Sequence, residues 1–142
     1  MSAPDAVLRV ALPLPLPRLF DYLSPADGRC GIGCRVSVPF GSRSMVGIVA
    51  EVGAPDPAVA AELRTVEAVL DAQPLLHGEL LESLRWLARY THAPLGEVLS
   101  TALPAALRRG ESMPDTHAWA WRLTPEGLSE QACLRGRPRR FA

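Results

Sequence analysis

The sequence contains no lysine, so arginine supplies all 15 of its basic side chains. Acidic residues also number 15, and the formal net charge at pH 7 is zero. A protein that follows many phosphates along a nucleic acid needs an excess of cations, so this balance argues against such a protein. It leaves open the recognition of a single strand end by a few well-placed groups.

Cysteine is scarce, and its three copies, Cys30, Cys34 and Cys133, form no even-numbered disulfide pattern. Cys30 and Cys34 have C-x3-C spacing, but a zinc site needs about four ligands. The remaining candidates, Cys133 and three histidines, are scattered along the chain. We therefore expect reduced, partly buried thiols and no metal site.

Targeting signals are also missing from the sequence. No apolar run is long enough to cross a membrane. The N-terminus lacks the basic stretch and apolar core of a secretory signal. These absences predict a cytoplasmic protein with no membrane partner. Nearly half of the 142 residues are hydrophobic, which is enough for one folded domain with its own core.

Motifs for catalysis are absent as well. There is no G-x-x-x-x-G-K-[ST] phosphate loop, and the pair Gly31 and Gly33 lacks the third glycine of a dinucleotide fingerprint. No serine or cysteine is paired with histidine in a recognisable nucleophile signature. The sequence therefore predicts that this chain is not itself an enzyme.

The most distinctive stretch present is Leu12-Pro-Leu-Pro-Leu-Pro-Arg-Leu-Phe-Asp-Tyr22, with proline at every second position. Prolines spaced in this way remove the donors from one edge of an extended chain, which predicts an edge strand or a polyproline II segment. A rigid spacer or an SH3-type ligand is the alternative. The aromatic-acid-aromatic ending favours a structured role.

Strands are predicted over 7–12, 35–39, 45–52 and 63–70, with polar and apolar residues alternating over 35–39 and β-branched residues enriched over 45–52. Gly47 is interpreted as a possible bulge within the third of these strands. The loop Gly41-Ser-Arg-Ser44 is typical of a hairpin connection.

From residue 79 the apolar spacing becomes helical, predicting a helix over 79–90 and a second from Pro94 to 103. Pro104 would end or kink the second helix, and Gly110 has the position of a C-cap. We predict an α+β domain over residues 1–110. Its parts are a small, twisted, mostly antiparallel and partly rolled sheet, followed by a helical pair over 78–109.

Residues 111–142 are interpreted as a linker and the incomplete start of a second domain. A strand would lead to a capped helix start at Thr124-Pro-Glu-Gly127. The arginine-rich end at 137–142 is typical of a helix opening that has been cut off.

Phe20, Asp21, Tyr22 and Gly41 suggest a small pocket for the end of a nucleic-acid strand. An aromatic wall stacks on any base, worth about 1–3 kcal/mol. A carboxylate accepts a hydrogen bond from a hydroxyl or a base amino group and repels phosphate, and a glycine permits close backbone approach.

Each of these residues also has a purely structural alternative. Phe20 and Tyr22 share one face of a strand and would serve as core. Asp21 would cap a turn or pair with an arginine, and Gly41 would be an ordinary turn residue. Trp86 and Tyr90, one helical turn apart, are interpreted as helix packing.

Five segments carry a resemblance that covers residues 7–110. The segments are Val10-Ala-Leu-Pro-Leu-Pro-Leu-Pro-Arg-Leu-Phe-Asp-Tyr22, Gly33-Cys-Arg-Val-Ser-Val-Pro-Phe-Gly41, Gly47-Ile-Val49, Leu63-Arg-Thr-Val-Glu-Ala-Val-Leu-Asp71 and the stretch from Tyr90-Thr-His-Ala-Pro-Leu-Gly-Glu-Val-Leu99 to Ala102-Leu-Pro104. Together they resemble the start of the PriA (primosomal protein N′) family of bacterial replication-restart helicases. Residues 117–142 resemble the opening of that family's winged-helix domain.

The resemblance implies a 3′ DNA-binding domain that captures the 3′-hydroxyl end of the nascent leading strand at stalled or abandoned forks. Phe20, Asp21, Tyr22, Gly41 and Arg64 would form the site, and Arg64 stands where the family often has lysine. The expected partners are DNA, single-stranded DNA-binding protein and other primosome proteins. ATP, magnesium and zinc are expected only in domains outside this sequence.

Two other hypotheses remain open. The chain would be a protein-interaction module if its proline-rich edge and sheet dock other restart proteins or single-stranded DNA-binding protein. It would be an enzyme fragment if an active site lies downstream.

Overall fold

Five antiparallel strands form the sheet in the computed structural model, which describes residues 6–25, 30–54, 62–113 and 122–128. The strands lie side by side in the order β2, β1, β4, β3, β5. In chain order they are β1 (Val7–Ala11), β2 (Phe20–Leu23), β3 (Arg35–Phe40), β4 (Arg43–Gly53) and β5 (Ala68–Val69). The predicted antiparallel sheet and α+β class are confirmed.

The loop of Gly41 and Ser42 joins β3 to β4 in a tight hairpin, as the sequence predicts. Gly41 has a φ of 62°, and Ser42 does not share this left-handed conformation. A positive φ at only the first loop residue defines a type II′ turn, whose twist matches that of the flanking strands. The turn sets the end of β3 beside the start of β4, at one rim of the sheet.

The bulge of the sheet lies at Ala50, so the prediction of a bulge at Gly47 is wrong. Arg9 on β1 pairs with Glu51, whereas the next residue pairs with Val49, which leaves Ala50 as the extra residue of β4. Gly47 meets a packing requirement instead. A Cβ there would lie 2.4 Å from a methyl of Val10 on the neighbouring strand.

The segment 63–70 is not the continuous strand that the sequence predicts. Residues 64–66 exchange two backbone hydrogen bonds of 2.9 and 3.0 Å with Leu23 on β2. Residues 67–70, which include the two-residue β5, then donate to the carbonyls of Ser37 and Arg35 on β3. The segment thus changes partner from one edge of the sheet to the other, as a partly rolled sheet requires.

Both faces of the sheet are covered by apolar layers. The layer inside the roll contains Leu8, Val10, Leu12, Tyr22, Val36, Val38, Val49 and Val66. The layer beneath the helices contains Ala11, Ile48, Ala50, Leu76, Leu81, Leu99, Leu103 and Leu107. Because the strands of β1 and β4 contribute to both layers, they read as nearly continuous apolar runs in the sequence.

Three helices follow the sheet in the part of the chain up to residue 113. They are α1 (Gly78–Thr91), α2 (Leu95–Thr101) and α3 (Ala105–Arg108). The helix predicted over 79–90 is confirmed, but the predicted pair is a trio. Pro104 is the N-cap of α3 rather than only a stop for α2, since proline is well tolerated where no backbone donor is required.

Gly110 ends α3 as its predicted C-cap. Its φ is 85°, and its N–H donates to the carbonyl of Leu107 while Glu111 N–H donates to Ala106. This pair of bonds is a Schellman motif, which satisfies carbonyls that the helix leaves unpaired.

The proline segment, residues 12–19, is neither an edge strand nor a polyproline II helix, so that prediction is wrong. The Leu14 N–H donates to the Leu12 carbonyl at 2.7 Å, a three-residue turn around Pro13. Further bends follow up to β2. Helix α2 lies directly on this segment, because a Cβ on Gly96 would come within 1.7 Å of the Leu12 carbonyl oxygen.

Arg35 is a fully buried charge at the centre of the molecule. Its guanidinium forms a bidentate pair with Asp71, at 2.6 Å in the shortest contact. Its Nη1 donates to the carbonyls of Leu107 and Glu111, at 2.7 and 2.9 Å. One side chain therefore ties β3 to the segment after β5 and to the end of α3.

Residues 125–128 form a helical turn with Thr124 as its cap, as predicted. The Gly127 N–H donates to the Thr124 hydroxyl at 3.1 Å. Residues 117–121 and 129–142, with Cys133, lie outside the described residues, so the winged-helix start stays a prediction. Among the helices that the structure describes, none has the length and hydropathy needed to span a membrane.

Candidate nucleic-acid interface

The predicted site residues Phe20 and Tyr22 point to the same side of the edge strand β2, into the layer inside the roll. Tyr22 is 5% exposed, and its hydroxyl donates to the carbonyl of Pro39 at 3.1 Å. Burial raises the pKa of Tyr22, although the nearby Arg64 opposes the shift. The hydroxyl therefore stays protonated and positions the end of β3.

Phe20 lies at the boundary of this layer. Its ring meets the edge of Phe40 with ring centres 5.5 Å apart, and the Arg18 guanidinium lies 4.8 Å above its centre. Aromatic rings and guanidinium planes are both surfaces on which bases stack. The sequence reading missed Arg18, although its i, i+2 spacing from Phe20 could have placed both side chains on one face.

Asp21 points to the opposite face of β2. Its carboxylate is about half exposed, and Arg9 Nε is 3.8 Å away. Arg9 is held more closely by Glu51, to which its Nη1 donates at 2.9 Å. Of the structural alternatives for Asp21, the arginine pair is the one observed, and the carboxylate keeps acceptor capacity toward solvent.

The backbone of Asp21 lies on an unpaired stretch of the β2 edge. At Leu23 both the N–H and the C=O point away from β1, because they bond to residues 64–66. In an antiparallel strand every second residue presents these groups in the same direction. The N–H and C=O of Asp21 therefore also face outward, where no described strand pairs with them. Asp21 offers a carboxylate, a donor and an acceptor at one place.

Gly41 and Arg64 are brought together from distant parts of the chain. Arg64 Nη1 approaches the Gly41 carbonyl at 3.5 Å. Apart from Gly41 and its two chain neighbours, no heavy atom of the described residues lies within 4 Å of the place where a Gly41 Cβ would stand, so these residues leave open space beside this backbone. Through Pro39 and Phe40 the pair adjoins Tyr22 and Phe20. The structure thus groups four of the five predicted residues on one side of β2, with Asp21 around its edge.

Trp86 and Tyr90 do not pack into the core, so that interpretation is wrong. Their rings stack with centres 4.8 Å apart and an angle of 12°, and the residues are 56% and 70% exposed. Helix α1 buries Leu81 and Ala88 against the sheet, and the aromatic pair lies outside that stripe. It forms an exposed apolar surface.

Cys30 and Cys34 are free thiols, as predicted. Burial, followed by the neighbouring Cys34, raises the pKa of Cys30 to about 12. The residues that the structure describes contain no group of three or more side chains able to hold a metal ion. The expectation that ATP, magnesium and zinc belong to other domains stays a prediction.

Comparison with known proteins shows which family this chain resembles. Residues 9–104 match the family described as 3'DNA-binding domain (3'BD). The chain is 43% identical over 121 residues to the replication restart protein PriA of Haemophilus influenzae, an alignment covering 85% of this chain and 17% of the relative. It is 37% identical over 93 residues to the PriA of Bacillus subtilis, covering 64% of this chain and 12% of the relative.

The matched residues therefore define a DNA-binding domain. The chain belongs to the 3′ DNA-binding domain family. The chain is also 30% identical over 122 residues to the replication restart protein PriA of Buchnera aphidicola, an alignment that covers 85% of this chain. It spans 17% or less of the length of these curated relatives.

Proposed function

We propose that this chain captures the 3′-hydroxyl end of a DNA strand. The observation that carries the proposal is Asp21, whose carboxylate and outward backbone groups lie on the unpaired edge of β2 beside Phe20. The similarity to replication restart proteins named PriA supports a role in replication restart, and the strand end that we propose as ligand is that of the nascent leading strand at a stalled or abandoned fork.

A nucleotide lying against this edge meets complementary groups in turn. Its base stacks on the surface formed by Phe20 and Arg18, without preference for sequence. The N–H and C=O of Asp21 reach the edge of the base, and the carboxylate accepts the hydrogen bond of the 3′-hydroxyl. The open space beside Gly41 admits the sugar, and Arg64 contacts the last phosphate.

The same groups reject a strand that continues. An onward phosphate would place negative charge beside the Asp21 carboxylate, and like charges at close range disfavour binding. The hydroxyl, by contrast, donates to that carboxylate in a charge-assisted hydrogen bond, worth about 1.5–3 kcal/mol. We therefore expect selection for a free hydroxyl of about tenfold or more.

The test is fluorescence anisotropy with one oligonucleotide that ends in either a 3′-hydroxyl or a 3′-phosphate. Wild type should prefer the hydroxyl, and Asp21→Ala should lose that preference. Glu51→Gln is the matched control, because it removes the other carboxylate bound to Arg9 without changing the β2 edge. Equal binding of the two oligonucleotides by wild type would contradict the proposal.

In this proposal the chain is the N-terminal DNA-binding part of a helicase and carries no motor of its own. Purified protein should bind DNA and hydrolyse no ATP. ATP turnover that persists after repurification and changes with a variant of this chain would contradict this part of the proposal.

A second function, docking of a protein partner, is favoured by the exposed stack of Trp86 and Tyr90. With the partly exposed Leu87 between them, they form an apolar surface on α1, away from β2. The partners proposed are single-stranded DNA-binding protein and other primosome proteins. Tryptophan fluorescence should change when purified single-stranded DNA-binding protein binds this chain in the absence of DNA. Tyr90→Ala should weaken that binding, whereas Asp21→Ala should leave it unchanged. No change in fluorescence or in a parallel calorimetric titration would exclude this partner.

A further inference from the structure

A cleft of about 700 Å³ lies beside the candidate site, on the face of the sheet to which Asp21 points. Its walls are the end of the proline segment, the bulge of β4, and the chain from the last turns of α1 to the start of α2. The lining residues that bear on its chemistry are Arg18, Ala50, Glu51, Arg85, Arg89 and His92.

The cleft concentrates positive charge in a chain that is neutral as a whole. Three of its lining side chains are arginines, and its one carboxylate, Glu51, is bonded to Arg9 at 2.9 Å. Arg89 has no ion-pair partner among the residues that the structure describes. The positive charge of the lining therefore favours an anionic ligand.

Arg85 also carries an unused hydrogen-bond donor. Its Nη2 donates to the carbonyl of Ala50, the extra residue of the bulge. Its Nε is buried without an acceptor, and the nearest carboxylate oxygen, on Glu82, is 3.9 Å away. A buried N–H without a hydrogen-bond partner is costly. A ligand in the cleft meets the exposed part of the Arg85 side chain, which is 26% exposed, and not this buried atom.

His92 occupies a strained position at the rim of this cleft. It ends α1 with a φ of 53°, the only positive φ of a non-glycine residue among those described. A glycine there would avoid a cost of about 1–2 kcal/mol. Strained residues cluster at binding sites because function retains the side chain.

We propose that this cleft binds backbone phosphates of the DNA strand immediately behind the captured 3′ end. Arg18 joins the two places, since its guanidinium lies 4.8 Å from the Phe20 ring centre and also lines the cleft. The proposal rests on the proposed capture of a 3′ end, which fixes the direction in which the strand leaves.

The chemistry of the lining selects phosphates. A guanidinium presents a rigid fork of donors that matches two phosphate oxygens, and Arg85 and Arg89 stand one helical turn apart on the same wall. Between them a phosphodiester can accept hydrogen bonds from the exposed donors of the two guanidinium groups. A cleft with two such side chains contacts few phosphates, so the affinity depends on salt much less than that of a groove binder.

The experiment compares wild type with Arg85→Gln/Arg89→Gln over a series of single-stranded oligonucleotides and salt concentrations. Each phosphate contact to a single strand adds about 0.7 to the slope of log affinity against log salt, so the double variant should lower the slope by about 1.4. The ratio of the wild-type affinity to the affinity of the double variant should then shrink about sevenfold between about 50 and 200 mM salt. Arg109→Gln is the control, an exposed arginine paired with Glu111 outside the cleft.

Two further variants separate charge from folding. Arg85→Lys keeps the charge and should retain most of the salt slope, and Arg89→Gln alone should lower it by about 0.7. Making the linkages behind the last phosphate, which is assigned to Arg64, uncharged methylphosphonates should weaken wild type and leave the double variant unaffected. If wild type and the double variant share one slope, the proposal is overturned.

The outcome distinguishes this proposal from the capture of a 3′ end. A double variant that loses slope but keeps its preference for a 3′-hydroxyl supports both. If the double variant keeps both the 3′-hydroxyl preference and the wild-type salt slope, end capture is retained and the phosphate cleft is rejected. If the double variant lowers the salt slope but wild type shows no 3′-hydroxyl preference, end capture is rejected, and with it the placement of the phosphates behind a captured end. If an acidic peptide displaces the bound oligonucleotide as effectively as unlabelled DNA does, DNA phosphates are also rejected as the ligand of the cleft.

Discussion

Replacing Asp71 by alanine should destabilise the fold by about 3–5 kcal/mol. The carboxylate of Asp71 accepts from the backbone N–H, Nε and Nη2 of Arg35, whose side chain has no exposed surface. Removing one partner of such a pair leaves an uncompensated buried charge, which is where the large cost arises. The loss compares with a total stability of about 5–15 kcal/mol for a typical domain.

Urea unfolding followed by circular dichroism measures this effect. A lower midpoint with an unchanged slope would report a loss of stability in a fold that remains intact. Glu111→Gln is the control, because it removes an exposed carboxylate from the surface pair with Arg109, worth about 0–1 kcal/mol.

A double substitution examines the reasoning more closely. Arg35→Met/Asp71→Leu removes both charges and should recover part of the loss, because buried ion pairs are often replaceable by apolar side chains. Recovery should be incomplete, since the carbonyls of Leu107 and Glu111 lose their donor. If Asp71→Ala costs less than about 1 kcal/mol, the claim that this buried pair organises the molecule is refuted.

Four other outcomes are expected. Gly47→Ala should cost about 1–3 kcal/mol in thermal or urea unfolding because its methyl has no room, whereas Gly53→Ala, with open space, should change little. In a Cys133→Ser background, alkylation of Cys30 near pH 8 should be about a thousandfold slower in the folded than in the unfolded chain, since burial keeps it a thiol. Because the pKa of Cys30 is raised, its contribution to the stability of the folded state is complete below the ordinary thiol pKa of 9.0 and is lost as the pH rises toward 12. The free energy of unfolding should therefore fall over that pH range, and it should fall less in Cys30→Ser. Tyr22→Phe should cost about 1 kcal/mol through its lost bond to a β3 carbonyl, and an unaltered preference for 3′-hydroxyl ends would assign it a supporting role.

Regular apolar segments were the most predictable part of this fold. Strands β1 and β4 are nearly continuous apolar runs, whereas β3 and helix α1 show a period that is visible in the sequence. Segment 63–70 is also rich in apolar residues, but its pairing depends on two edges that a rolled sheet brings near one another. Pro104 ends one helix and begins another, and a proline is compatible with both roles.

The candidate site was predictable where its residues are contiguous. Phe20, Asp21 and Tyr22 follow one another, and their alternation places the carboxylate opposite the rings. The approach of Arg64 to Gly41 and the cleft around Arg85 depend on the rolled sheet and on a bulge that no local pattern marks. The exposure of Trp86 was missed because large aromatic side chains are usually highly buried, and only the packing of α1 shows which face is left uncovered.

The segment 64–70 has a consequence for the order of folding. Its hydrogen bonds join residues far apart in sequence, and they require β2 and β3 to be in place already. Contacts between residues far apart in sequence form late, because the chain loses loop-closure entropy before the free energy of these contacts can compensate for it. Arg64 reaches Gly41 only when this segment has docked. We therefore expect the ability to select a strand end to appear in the last kinetic phase of refolding, after the β3 to β4 hairpin.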